Sequence, residues 1–270
     1  FQASSKTVQS LPNGVYLTGL DDNGEVIFLK QKVVTDNLID LPDNAGSTVI
    51  NSVEKFWESK SKFEDLKQVY KRGVLLYGLS GSGKTCIIMQ LINKFIERNG
   101  IVLYLSRPDV MVVALRAIRD IEPDRHVIVI IEDIDEVITQ FGEHSLLALL
   151  DGEYQVSDVT FLASTNHQNT LEKRIVNRPS RFDDIIKIGM PSENARRVYL
   201  ETTAQGKLSR EELEKWILDT KGLSVAHLRE LCVSVFCLDR EYVETVERLH
   251  KMGKSLDTRD VKIGLVRETK

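Results

Sequence analysis

The octapeptide Gly78-Leu79-Ser80-Gly81-Ser82-Gly83-Lys84-Thr85 constrains this chain more than any other feature. It follows the pattern Gly-x-x-x-x-Gly-Lys-Thr. In such a loop glycines let backbone N–H groups approach phosphate oxygens, the lysine reaches the β and γ phosphates, and the threonine hydroxyl faces magnesium. The flanks dictate architecture. Val74-Leu75-Leu76-Tyr77 reads as a buried strand entering the loop, and Cys86-Ile87-Ile88-Met89-Gln90-Leu91-Ile92 as an apolar helix leaving it. The candidate nucleotide-binding residues are therefore Gly78, Ser80, Gly81, Ser82, Gly83, Lys84, Thr85 and Cys86, with Thr85 also a candidate magnesium ligand.

The rest of the chain extends this unit. Four further strand-like runs follow, Ile101-Val102-Leu103-Tyr104-Leu105, Val127-Ile128-Val129-Ile130-Ile131, Val159-Thr160-Phe161-Leu162-Ala163 and Ile185-Ile186-Lys187-Ile188. Helical patterns lie among them at about 84–97, 109–120, 144–150 and 192–204. Strands that are apolar throughout and alternate with helices predict an α/β fold, a five-stranded parallel sheet with helices on both faces. Ahead of it, residues 14–34 read as a β-hairpin around the turn signal Asp21-Asp22-Asn23-Gly24. After Pro191 the pattern is wholly helical, in four amphipathic pieces from Glu193 to Met252. The expected organisation is a hairpin extension and linker over 1–45, a nucleotide-binding core over 46–190 and a small all-helical domain over 191–270.

Composition bounds the function. Hydrophobic residues at 42% and charged residues at 28% suit a globular protein with a real core, and a net charge of −4 creates no field that would draw in nucleic acid or an anionic membrane. Cys86, Cys232 and Cys237 and the five scattered histidines show no metal-type spacing, and an odd cysteine count suits a reducing cytoplasm. No apolar run approaches the length of a membrane span. The chain begins at Phe1 rather than Met, so the sequence leaves open whether an N-terminal or targeting segment precedes it.

Acids stand where an α/β sheet places its ligands. The run Val127 to Ile131 ends in Glu132-Asp133-Ile134-Asp135, at the C-terminal mouth of a buried strand. Phosphoanhydride hydrolysis needs one carboxylate for the magnesium shell and another group to position water, roles that suit Glu132 and Asp133. Asp135 is balanced between a share in this chemistry and a plain helix cap. A second strand ends in Ser164-Thr165-Asn166, where the Asn166 amide, both donor and acceptor, is placed to orient water or touch a γ phosphate. In Asn177-Arg178-Pro179-Ser180-Arg181-Phe182-Asp183, two guanidinium groups three residues apart are candidates to stabilise a transferring phosphoryl group.

Taken in this order, these residues resemble the AAA ATPase family of ring-forming AAA+ mechanochemical enzymes. Gly78 to Thr85 is similar to its Walker A loop, Val127 to Asp133 to its Walker B strand, Asn166 to sensor 1 and Asn177 to Asp183 to its Arg-Pro-Gly-Arg-Phe-Asp segment. Leu150-Asp151-Gly152 matches a further signature, and Gly222 to Ala226 resembles the start of the lid helix. The resemblance implies a helical lid over residues 191–270 and a homo-oligomeric ring, usually a hexamer, with ATP and magnesium at each subunit boundary. Lys84, Thr85, Glu132, Asp133 and Asn166 would then act in cis, while Arg178 and Arg181 would serve the neighbour's ATP. Asp151 lies in a segment that approaches the same boundary in the family.

Three departures qualify the match. Gly78-Leu79-Ser80-Gly81 replaces Gly-Pro-Pro-Gly, and Glu132-Asp133 reverses the usual Asp-Glu order, as in the family's mitochondrial respiratory-complex assembly branch. Ser106-Arg107-Pro108-Asp109 stands where threading members carry an aromatic–apolar–glycine triplet, and Phe141-Gly142-Glu143 in the next loop reads first as packing and second as a substitute. The expected activity is ATP hydrolysis by a ring motor that remodels or moves a macromolecular, foremost a protein, partner. The alternatives are an ATP-dependent switch or loader acting on a nucleic-acid machine, through Arg107, Arg116, Arg119 and Arg125, and an ATP-binding scaffold with little hydrolysis.

Overall fold

The computed structural model describes residues 10–32, 38–42, 45–151, 157–167 and 181–257. The backbone groups into two units, one of residues 1–38, 45–79 and 84–188, the other of residues 39–44, 80–83 and 189–270.

The first unit is built on one mixed sheet. Its strands are β1 (Gly14–Leu20), β2 (Val26–Gln31), β3 (Lys71–Tyr77), β4 (Ile101–Tyr104), β5 (Val127–Ile131), β6 (Val159–Thr165) and β7 (Asp184–Lys187). They lie in the order β2-β1-β4-β5-β6-β3-β7. The sheet therefore has seven strands where the sequence predicts five. The difference is the N-terminal hairpin. Strand β1 runs parallel to β4, with Val15 opposite Val102, and β2 adds antiparallel beyond it. Asp21 closes the hairpin turn by accepting from the N–H groups of Asn23 and Glu25.

Alternation along each strand divides the core. Leu75, Leu103, Val129 and Phe161 point to one face, packing on Met111 and Leu115 of α4 (Pro108–Ile121) and on Leu146 and Leu149 of α6 (Glu143–Asp151). Val74, Leu76, Ile128, Ile130 and Leu162 point to the other, against α1 (Ala45–Trp57) and α3 (Lys84–Glu97). Burial on both faces is why these strands are apolar at every position. The short helices α2 (Lys60–Asp65) and α5 (Ile134–Phe141) also belong to this unit.

The second unit holds α7 (Glu193–Ala204), α8 (Arg210–Asp219), α9 (Val225–Phe236) and α10 (Tyr242–Asp257). Leu200, Trp216, Leu231 and Leu249 form its core, and the Trp216 ring stacks on Phe236 and Tyr242 at centroid distances of 5.3 and 4.7 Å. Ser209 and Glu212 form a reciprocal capping box at the start of α8. Among the described residues no helix is long and apolar enough to cross a membrane.

Candidate functional site

Strand order places the chemistry. Strands β5, β6 and β3 are adjacent and parallel, so the residues that follow their C-terminal ends converge. These are Glu132 and Asp133 after β5, Asn166 after β6, and Gly78 after β3, with Lys84 and Thr85 opening α3.

Lys84 lies at the centre. Its Nζ donates to Gly78 O at 2.8 Å, Leu79 O at 3.1 Å and Asn166 Oδ1 at 2.7 Å. Burial pushes the ammonium's pKa below its ordinary value, and the charges of Asp133 and Asp135 oppose that shift. Asn166 continues the chain of contacts by donating from Nδ2 to Asp133 Oδ1 at 3.1 Å. The amide orientation follows from chemistry, since an ammonium can only donate and a carboxylate only accept. Beside this network, Thr85 Oγ1 donates to Glu132 Oε1 at 3.1 Å. The two neighbouring acids thus have different partners. Glu132 meets the candidate metal hydroxyl, and Asp133 meets the amide that also holds the lysine.

Asp133 reaches that position through an unusual backbone. Its φ of 45° and ψ of 56° are left-handed, a conformation that aspartate adopts more readily than most residues with side chains. The Asp133 N–H faces Ser164 Oγ at 3.4 Å, so two side chains that follow or end β6 hold this residue.

In the phosphate loop, Gly81 and Gly83 have φ of 76° and 108°, angles that side chains rarely adopt. Residues Ser80–Gly83 group with the second unit, where Gly81 O accepts from Ala226 N at 3.3 Å. Ser82 Oγ is buried, the residue being 1% exposed, and has no hydrogen-bond partner among the described residues. An orphaned buried hydroxyl in a loop with a buried ammonium and a hydroxyl–carboxylate pair is a donor set that fits a magnesium triphosphate. Burial raises the pKa of the Cys86 thiol, which keeps it neutral and leaves its backbone as its contribution to the loop.

The arginines are placed differently. Arg178 lies outside the described residues. The Arg181 side chain is only 6% exposed, and its Nε and Nη2 each lie 2.7 Å from a different oxygen of Asp151. Its carbonyl oxygen packs on Gly73, where a Cβ would come within 1.9 Å of it. Gly73 precedes Gly78 by five residues of extended chain, about 16 Å at 3.3 Å per residue. Arg181 is therefore attached at the opposite end of β3 from the protomer's own phosphate loop. Lys71 reinforces that end by donating from Nζ to Leu150 O at 2.6 Å.

Two features went unread in the sequence. Asp151 engages Arg181, and Thr165 Oγ1 donates to Asp135 Oδ1 at 2.7 Å. The basic residues after β4 are largely engaged within the chain. Arg107 pairs with Asp109, Arg125 with Glu122, and Arg119 donates to the carbonyls of Ser157, Glu122, Pro123, Arg125 and Asp158.

Residues 74–190 match the sequence profile of the ATPase family associated with various cellular activities (AAA). The chain is 32% identical over 181 residues to the cell division cycle protein 48 homolog of Archaeoglobus fulgidus, an overlap of 60% of this chain and 24% of that protein. It is 28% identical over 207 residues to the proteasome-activating nucleotidase of Methanothermobacter thermautotrophicus, covering 68% of this chain and 50% of the relative. The corresponding protein of Methanopyrus kandleri is 25% identical over 239 residues, covering 78% and 54%. The chain thus spans between about a quarter and about half the length of these relatives.

Proposed function

Because residues 74–190 are an AAA ATPase domain, we propose that this chain binds ATP with magnesium and hydrolyses it within a homo-oligomeric ring, a hexamer by family resemblance, to remodel or move a protein partner. Residues 191–270, whose described part holds α7 to α10, serve as its lid. The observation that carries this reading is the network Lys84–Asn166–Asp133 beside Thr85–Glu132, which gathers a cation, an amide and two separately partnered carboxylates at the ends of adjacent strands.

The chemistry follows from these groups. Backbone N–H groups of Gly78 to Thr85 and the Lys84 ammonium bind the triphosphate. To do so Lys84 exchanges its carbonyl partners for phosphate oxygens, a trade of neutral for charge-assisted hydrogen bonds. Thr85 and Glu132 would hold magnesium, which would supply positive charge against the phosphates. Asp133 positions the attacking water and takes its proton, and Asn166 fixes that carboxylate. Aspartate is one methylene shorter than the glutamate usual at this place, so the water sits closer to the backbone. The left-handed turn at Asp133 aims the short side chain. Arg178 and Arg181 complete a neighbour's site, an assignment that requires the Arg181 guanidinium to exchange Asp151 for phosphate. Its attachment far from its own phosphate loop favours action on a second protomer.

Two observations favour a protein partner. Two of the relatives are named proteasome-activating nucleotidases. The arginines that would favour nucleic acid are instead bonded to this chain's own carboxylates and carbonyls at Arg107, Arg119 and Arg125. The segment after β4 also lacks an aromatic grip, and Ser106 Oγ donates to Thr18 O of β1 at 2.8 Å. That supports remodelling without an aromatic clasp at this loop.

The test is nucleotide affinity of Lys84→Ala. The ammonium's contacts to two phosphates, about 1.5–3 kcal/mol each, predict a loss of at least a hundredfold. Unchanged ATP affinity would contradict the assignment.

A further inference from the structure

Asp135 is the acid of the Glu132-Asp133-Ile134-Asp135 run that the proposed chemistry leaves without a task. It stands in the first turn of α5, where a carboxylate is favoured by the helix N-terminus alone. Its contact says more. Thr165 Oγ1 donates to Asp135 Oδ1 at 2.7 Å, and the same oxygen accepts from His167 N at 2.9 Å. A hydroxyl has one proton, and an ionised carboxylate can only accept. The proton therefore points at Asp135, and the lone pairs are left facing the His167 N–H. That second bond, from a residue two positions on, closes a tight turn of the chain around Asn166. The carbonyl of Thr165 accepts from Gly78 N at 3.3 Å, which pins the same fully buried residue to the start of the phosphate loop.

We propose that Asp135 is a positioning residue for Asn166: by fixing the direction of the Thr165 hydroxyl it locks the turn that aims the Asn166 amide between Lys84 and Asp133. This rests on the reading above, in which Asn166 takes part in hydrolysis. Asp135 touches neither nucleotide nor water in this scheme. Without it the Thr165 proton loses its acceptor, the hydroxyl is free to rotate, and the His167 bond no longer has a lone pair held for it. The amide then samples orientations in which it does not bridge lysine and aspartate.

The experiment is steady-state ATPase kinetics on Asp135→Ala, Asp135→Asn, Thr165→Val, Thr165→Ser and Asn166→Ala, together with the Asp135→Ala/Asn166→Ala double variant. Misorientation of a catalytic group costs up to about a hundredfold in rate. Asp135→Ala and Thr165→Val should therefore both lower kcat by about ten- to a hundredfold while KM changes by less than about threefold. Asp135→Asn and Thr165→Ser keep an acceptor and a hydroxyl, and should stay near the wild-type rate. In the Asn166→Ala background Asp135→Ala should add less than about twofold, since the group it aims is gone. Thr165→Val probes the same step should Asp135→Ala fail to fold.

Wild-type kcat in a folded Asp135→Ala, or a full multiplicative loss in the double variant, overturns the proposal. A slow Asn166→Ala with a wild-type Asp135→Ala overturns the positioning role alone and leaves the hydrolytic reading standing. A wild-type rate in Asn166→Ala overturns both.

Discussion

Acid should loosen the sheet unit through His126. The imidazole lies among the rings of Phe56, Tyr70 and Phe95 at centroid distances of 5.9, 5.2 and 5.4 Å, and its Nε2 is 2.9 Å from Thr160 Oγ1. Trp57 Nε1, which can only donate, reaches the same hydroxyl at 3.2 Å. Burial pushes the His126 pKa down from 6.5 to about 3, against the opposing pull of Asp158 and with help from Arg119 and Lys60.

The sign follows from proton counts. A histidine whose folded pKa is depressed binds fewer protons folded than unfolded, so its contribution is intact above 6.5 and is lost as pH falls from 6.5 towards 3. Between about pH 7.5 and pH 4.5 the unfolded chain takes up a proton that the folded chain refuses over two units, a loss of about 2–3 kcal/mol. Carboxylates titrate in the same range, so the assay compares wild type with His126→Gln, each measured by guanidinium denaturation at both pH values. Packing lost in the variant cancels because each protein is compared with itself. Wild type should lose about 2–3 kcal/mol more than the variant on acidification. Equal losses would refute a half-buried imidazole held neutral.

Other outcomes follow from the site. Glu132→Gln should retain ATP affinity measured without magnesium but weaken the magnesium dependence of hydrolysis about tenfold or more, and an unchanged magnesium requirement would remove Glu132 from the metal shell. Arg181→Ala should lower ATPase about a thousandfold at constant protomer nucleotide affinity. Mixing that variant with Lys84→Ala protomers should restore part of the activity, because each supplies what the other lacks across a boundary. No restoration would place Arg181 within its own protomer. Asp151→Ala removes a two-pronged partner of a guanidinium only 6% exposed and should lower stability by about 1.5–3 kcal/mol, read from denaturation. A loss under about 1 kcal/mol would mean that solvent readily replaces Asp151.

Much of the site was legible because it is local. The loop from Gly78 to Thr85 carries its glycines and lysine in one stretch, and the strands beside it are apolar on both faces because both faces are buried. What escaped depends on contacts distant in sequence. Nothing within the hairpin says that Val15 will lie opposite Val102, so its joining of the sheet was invisible. The Arg181–Asp151 pair spans thirty residues, and neither residue type alone signals the other. Helix α5 was hidden because its first turn is taken up by acids that read as chemistry. The Thr165 hydroxyl had a usable signal, its place beside Asn166 at the end of an apolar strand, but its acceptor lies on a different element.

In the proposed mechanism the reversed acids divide the labour, Glu132 with the metal hydroxyl and Asp133 with water, and the decisive assay is phosphate release by Asp133→Asn under saturating ATP and magnesium. ATP binding should stay within about threefold of wild type while turnover slows by about a hundredfold or more. An Asp133→Asn protein that hydrolyses ATP at the wild-type rate would contradict this division.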